Sequence, residues 1–305
     1  MANTGYKINT YKDVNPYSSF YGNVKTERVL DTSTCPITRY NNIQYIVDIP
    51  SDNYTDVNAV VKTYAYNEFG ADIIVDWGDG NIESIDYTIK NINHTYISAG
   101  NYTVDISVDS FYMNGLNNSI QISSRTSKIL SYELEFHTIL NRIAYDGLQV
   151  LDSIDPSVFK LYRSEDNKHN IGVFMVTPNL TIIQDADWTT IYPDGVDCSS
   201  DFSFCTNLVS VSPTLLNTIK PTQLDGFFNY CVNLEMNIND FFQDIDLSEV
   251  TNVKSMFEMC GKITGEALPI ISRLSHIINV SNFGACFKEC TSLSDYSLIP
   301  INWKS

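Results

Sequence analysis

"DLSEVTNVKSMFEMCGKI", Asp246 to Ile263, sets a frame: phenylalanine, cysteine three residues on, and leucine or isoleucine three after that. The frame recurs as Phe202/Cys205/Leu208, Phe228/Cys231/Leu234, Phe257/Cys260/Ile263 and Phe287/Cys290/Leu293, with the cysteines 26, 29 and 30 residues apart. A further copy, Phe174/Thr177/Leu180, stands 28 residues ahead with threonine in the cysteine's place. Such a period means that each unit presents a face only a neighbouring unit can cover, which predicts a solenoid. "LYRSEDNKHN" and "DADWTTIYPDG" interrupt the period, so the first units are expected to be irregular or to cap the stack, and "LIPINWKS" is placed to fold Trp303 over the last unit.

The repeated cysteine has two readings: a small apolar residue sized for a crowded interior, or one member of a redox or metal column. Metal ligation needs convergent histidine or carboxylate partners, and His94, His137, His169 and His276 all fall outside the repeat frame, which favours packing. The seven cysteines are an odd number with no CxxC pair, so neither a fully paired disulfide framework nor a zinc ribbon is expected.

Upstream, the period changes from about thirty to two. "ADIIVDW" puts Ile73, Val75 and Trp77 on one face of a strand, and "GDG" (Gly78, Asp79, Gly80) supplies residues able to take positive φ where the strand reverses. "NIESIDY" alternates again, offering Ile82, Ile85 and Tyr87 for burial, so a hairpin is predicted. In "SAGNYTVDISV", Gly100, Tyr102 and Val104 have the spacing of a tyrosine corner, whose phenol bonds the corner backbone while its ring packs inside. Further strands read at Ile43–Ile49, Val60–Tyr66 and Ser119–Ser123.

Two resemblances attach to these residues. The succession VDWGDG, His94-x-Tyr96 and Gly100-x-Tyr102-x-Val104 resembles the PKD (polycystic kidney disease) domain, an immunoglobulin-like module, over roughly residues 40–125. Members of that family serve as spacers or adhesive modules, and the motif residues Trp77, Gly78, Asp79, Gly80, His94, Tyr96, Gly100, Tyr102 and Val104 are structural, so the resemblance implies no catalytic role. The Asp246–Ile263 and Asn279–Leu293 units look like the BspA-type leucine-rich repeat, a likeness covering about residues 145–305. The expected fold is mainly β: an N-terminal anchoring arm (1–37), a PKD-like sandwich (38–125), a rigid bridge (126–144) and a leucine-rich-repeat solenoid (145–305).

Charge narrows the partners. The net charge is −17, and residues 1–37 carry four Lys/Arg against three acids, 38–125 four against eleven, and 126–305 eleven against twenty-two. An acidic body repels phosphate backbones, and no basic cluster marks a membrane surface, so neither nucleic acid nor membrane is an expected partner. No apolar run reaches membrane-span length, and the first residues lack a signal-peptide layout. HExxH, GxSxG, Walker and dinucleotide motifs are all missing from the sequence, which leaves no expected catalytic residue or cofactor. Asp194, Asp197 and Asp201 crowd together but lack the glycine and terminal glutamate of an EF-hand loop, so no metal site is expected.

Residues 1–37 show no sustained period of 2 or 3.6. They read either as a disordered tail or as an arm that orders on another chain, with Tyr6, Tyr11, Tyr17, Phe20 and Tyr21 as anchors. The whole plan is similar to a capsid-decorating head fibre or tail-associated fibre of a tailed bacteriophage, including the crAss-like group. That resemblance implies a non-enzymatic virion protein, a homo-oligomer expected to be a trimer, docked on other virion proteins and facing host-surface or mucus polysaccharide. A bacterial surface adhesin and, more distantly, a polysaccharide depolymerase are the alternatives.

Overall fold

Two seven-residue strands, Tyr6–Lys12 (β1) and Val24–Leu30 (β2), pair antiparallel from Tyr6↔Leu30 to Lys12↔Val24. The leader, read as lacking any period, therefore contains a two-stranded ribbon, formed by backbone pairing rather than by an apolar pattern. Met1–Tyr40 is a compact unit separate from Asn41–Ser305. The computed structural model describes residues 6–12, 24–30, 41–59, 73–85, 92–108, 122–136, 148–163, 174–189, 191–192, 195–216 and 220–305.

The second unit begins with Asn41–Ile49 (β3), where Ile43, Tyr45, Val47 and Ile49 are buried and the residues between them only partly so. This alternation is what a strand with one face on a core requires. Tyr54–Ala59 (β4), Ile73–Asp76 (β5), Ile82–Ile85 (β6), Ile92–Tyr96 (β7), Gly100–Val108 (β8), Thr126–Phe136 (β9) and Phe159–Arg163 (β10) follow. One sheet runs β10-β9-β3-β8-β5-β6, and β4 pairs with β7 in a separate two-stranded sheet. All neighbours are antiparallel except β9 and β10, which are parallel. The stretch expected as a bridge thus supplies β9, a full strand of the large sheet beside β3.

Two register shifts in the β3–β9 pairing bring Thr126, Ile129 and Tyr132 to the buried side although their spacing is not two. Of the other expected strands, 60–66 and 119–121 lie outside the described residues. Ile82, expected to be buried, is 65 % exposed. It pairs with Asp76 while Val75 pairs with Glu83, so alternation puts Ile82 on the face opposite Val75 and Trp77.

Beyond β10 the chain changes character. The short strands Ile182–Ile183 (β11) and Ser210–Val211 (β12) pair in parallel, as do the isolated bridges Asp197↔Gln223 and Gln223↔Asn252. Most of the backbone there consists of successive turns. Amides of Cys198, Ser200, Phe202 and Phe204 donate to carbonyls of residues 223, 225, 227 and 229, one rung onward. Leu224, Gly226, Phe228 and Tyr230 repeat this to 252–258, and Val253, Ser255, Phe257 and Met259 to 282–288, with every distance between 2.7 and 3.0 Å. The intervening amides close four-residue turns, such as Ser203 N to Ser200 O and Cys205 N to Phe202 O. Alternate amides therefore bond within the rung and across to the next, so a buried backbone is satisfied without regular strand geometry.

Each rung also holds non-extended residues at fixed places. Ser200, Gly226, Ser255 and Ala285, two before each phenylalanine, have φ of 53–63°, and Phe204, Tyr230, Met259 and Glu289, two after, have φ of 59–68°.

The longer inter-rung intervals accommodate short helices, Ile238–Phe242 (α1) and Ala267–Arg273 (α2). Arg273 donates to the carbonyls of Phe242 and Ile245 at the end of α1. The carboxylate of Asp295 accepts from the Ala267 and Leu268 amides at 2.9 and 2.7 Å, so α2 is capped by a residue 27–28 positions later. Among the described residues, helices are few and short, and the chain is mainly β.

Candidate functional site

In the sheet unit, the side chains around the β5–β6 turn form one linked group. Trp77, fully buried, stacks on His94 with centroids 4.7 Å apart and planes 9° apart. His94 meets Tyr96 edge-on at 4.6 Å, and Tyr96 stacks on Tyr102 at 4.3 Å. His94 and Tyr96 belong to β7, so this aromatic run fastens the two-stranded sheet to the larger one. The Tyr96 hydroxyl donates to Trp77 O at 2.9 Å, and the Trp77 indole donates to Glu83 at 3.0 Å. Tyr102 Oη donates to Ser98 O at 2.9 Å, the corner bond expected from its spacing, and Val104 is buried.

The turn is held by its own carboxylates. Asp76 accepts from Gly78 N at 2.9 Å and Asp79 from Asn81 N at 3.0 Å, while Gly78 and Gly80 take φ of +77° and +94°. His94 Nε2 lies 2.7 Å from Asp79 Oδ2; a carboxylate can only accept, so Nε2 carries the proton. Burial alone would raise the Asp79 carboxyl, but the hydrogen bonds from His94 and Asn81 outweigh it and hold the group below its ordinary value. A depressed carboxyl stabilises the fold above its unfolded pKa and loses that contribution as pH falls through the folded one. Asp79→Asn is therefore expected to cost about 1.5–3 kcal/mol at neutral pH, the range for hydrogen bonds to charged groups. The difference from the native chain should shrink below about pH 4; an equal difference from pH 7 to pH 3 in urea titrations would count against it.

The repeat residues converge as columns. Phe174, Phe202, Phe228, Phe257 and Phe287 are buried and stack in that order at centroid separations of 5.7, 5.9, 5.8 and 5.9 Å, with planes 15–20° apart. Trp303 is buried against Phe283 at 4.5 Å and Phe287 at 6.2 Å, so the indole closes the column. Below it, Tyr132 meets Phe159 at 5.4 Å and Phe159 meets Phe174 at 6.1 Å, carrying the aromatic path from β9 into the first rung. Leu180, Leu208, Leu234, Ile263 and Leu293 are all buried.

Each column cysteine donates its thiol to the carbonyl of the phenylalanine one rung back. Cys205 bonds Phe174 O at 3.1 Å, Cys231 bonds Phe202 O at 3.0 Å, Cys260 bonds Phe228 O at 3.0 Å and Cys290 bonds Phe257 O at 2.9 Å. Burial pushes the Cys205 and Cys260 thiols up to about 12 and those of Cys231 and Cys290 upward as well, the opposite of a reactive thiolate. Among the described residues no three His, Cys, Asp or Glu side chains stand together as a metal would require. Asp197 accepts from Ser199 and Gln223, Asp201 is buried, and Asp194 lies outside the described residues.

The expected anchors are only partly described. Tyr6 and Tyr11 occur in β1, at register positions opposite Leu30 and Lys25. Tyr17, Phe20 and Tyr21 lie outside the described residues.

One feature escaped the repeat frame. Phe204 and Tyr230, two residues beyond the buried phenylalanines, are 43 % and 37 % exposed and stack on each other at 4.9 Å with planes 15° apart. Val176 and Met259 hold the same place in adjacent rungs, so the column was written in the sequence, one residue before each cysteine of the frame and before Thr177.

The chain matches no protein-family model, no curated protein and no solved structure.

Proposed function

We propose that this chain is a non-enzymatic structural protein of a bacteriophage virion, a head fibre, capsid decoration or tail-associated fibre. In this reading β3–β10 are a PKD-type immunoglobulin-like sandwich and the rungs are a BspA-type leucine-rich-repeat solenoid. The two display toward host-surface or mucus polysaccharide, while residues 1–37 dock on capsid or tail protein and the chain assembles as a trimer.

The observation that carries the reading is the aromatic path from Tyr132 through Phe159 and Phe174 to Trp303. One core runs through sheet and rungs, so they form a stiff body, and stiffness suits a module that must hold an adhesive surface away from its mount. The corner bond of Tyr102 supports the sandwich assignment, and lateral hydrogen bonding between rungs supports the solenoid.

Mass spectrometry of purified particles is expected to find the chain, and a chain lacking residues 1–37 is expected to be soluble and folded yet missing from particles. Absence of the full chain from particles would reject the virion reading, and normal incorporation of the shortened chain would reject the anchor.

A further inference from the structure

The two columns of positive φ carry very different side chains. Two residues before each phenylalanine stand Ser200, Gly226, Ser255 and Ala285, all small; two residues after stand Val176, Phe204, Tyr230 and Met259, all apolar or aromatic, until the exposed Glu289 ends the column. Their φ values are alike, so the backbone does not call for bulk at the second column. A β-branched or bulky residue is uncommon there, and the conformation has to be imposed by its surroundings. Phe204 and Tyr230 nonetheless sit at the surface, and Val232, two residues after Tyr230 in the chain, is 38 % exposed.

The lysines beside this ridge are already answered within the chain. Lys288 lies 2.8 Å from Glu258, which also accepts from Asn229 at 3.4 Å. Lys262 lies 3.3 Å from Glu235 and donates to Asn233 at 2.9 Å. Hydrogen bonds from Lys288, Ser255 and Asn229 hold the Glu258 carboxyl down despite its burial, so the pair stays ionised and compensated near neutrality. These two lysines are thus compensated, while the exposed Glu289 at the end of the same column and a net charge of −17 both repel acidic polymers.

Area decides against a protein partner. Two rings exposed by these fractions offer roughly 150–200 Å², against about 800 Å² per partner for a standard protein interface. A small aromatic strip spanning two successive rungs suits weak contacts along an uncharged polymer.

We propose that the Phe204–Tyr230 ridge is a binding site for an uncharged polysaccharide, which lies along the rungs against the two rings. This rests on the display role proposed above and names the residues and the charge class of its ligand.

The test uses the full-length chain in affinity gel electrophoresis with neutral glucan, mannan and galactan, and with acidic polygalacturonate and chondroitin sulfate. At least one neutral polymer should retard the native chain. Phe204→Asn with Tyr230→Asn, chosen because asparagine is at ease at positive φ, should weaken that retardation at least about tenfold. Ile278→Asn, altering a side chain 88 % exposed outside the ridge, should leave it unchanged. Should the double variant misfold, nitration of Tyr230 in the native chain, slowed by the retarding polymer, gives the same answer. Retardation by acidic polymers alone, none by any polymer, unchanged binding by a folded double variant, or nitration indifferent to the polymer overturns the site. Particle content separates this from the virion reading: a chain present in particles that binds no neutral polymer sinks the site alone, and one that binds but is absent from particles sinks the virion reading alone.

Discussion

Phe228→Ala is expected to destabilise the chain by about 3–5 kcal/mol, the cost of removing a buried phenylalanine ring and leaving a cavity. Phe228 is fully buried, and its ring meets Phe202 at 5.9 Å, Phe227 at 4.5 Å, Phe241 at 5.7 Å and Phe257 at 5.8 Å. Phe202 N bonds Phe227 O and Phe257 N bonds Cys286 O across rungs, while Phe241 is held in α1, so the hole cannot close by a small shift of one of them. Set against a domain stability of about 5–15 kcal/mol, a loss of this size removes a large share of the total. Urea titration followed by circular dichroism should show the midpoint fall accordingly. A loss below about 1 kcal/mol would mean that the column is not a tightly packed core.

Gly78→Ala should have an effect of similar size for a different reason. An added Cβ would lie 2.3 Å from Thr103 O and 3.0 Å from Thr103 N, both backbone atoms of β8 held by the pairing of Ile46 with Thr103. Neither can swing aside as a flexible side chain would. Left-handed strain of about 1–2 kcal/mol and overpacking of about 1–3 kcal/mol together give about 2–5 kcal/mol. Gly80, at φ +94°, has open space where its Cβ would go, so Gly80→Ala should cost only the strain. Thermal melts of the two variants settle the ordering; equal losses would show that the close approach to β8 does not matter.

How much of this was readable beforehand follows from which forces have a sequence period. The alternation of β3 and the Phe-Cys-Leu frame reflect direct burial, and their side chains are buried where the pattern put them. Ile82 misled because apolarity indicates a strand but not which face is covered, and face depends on its pairing with Asp76. The register of β9 was hidden because two irregularities shift which residues turn inward. The cap of α2 by Asp295 and the closure of α1 by Arg273 join residues nearly thirty positions apart, a distance at which local signals carry nothing. The Phe204–Tyr230 pair carries no burial signature, because both rings are exposed and the apolar period of the repeat reports only buried positions.

The alternating backbone bonds also determine how the molecule yields to force. The rungs of Phe202, Phe228, Phe257 and Phe287 are each tied to the next by at least four backbone hydrogen bonds, a thiol bond and a stacked phenylalanine pair, and none of these contacts skips a neighbour. Tension that reaches the free end of such a ladder loads a single seam while the others stay slack, so rungs peel away one after another. Each release pays out the 26 to 30 residues between successive cysteines, about 90–105 Å of slack chain.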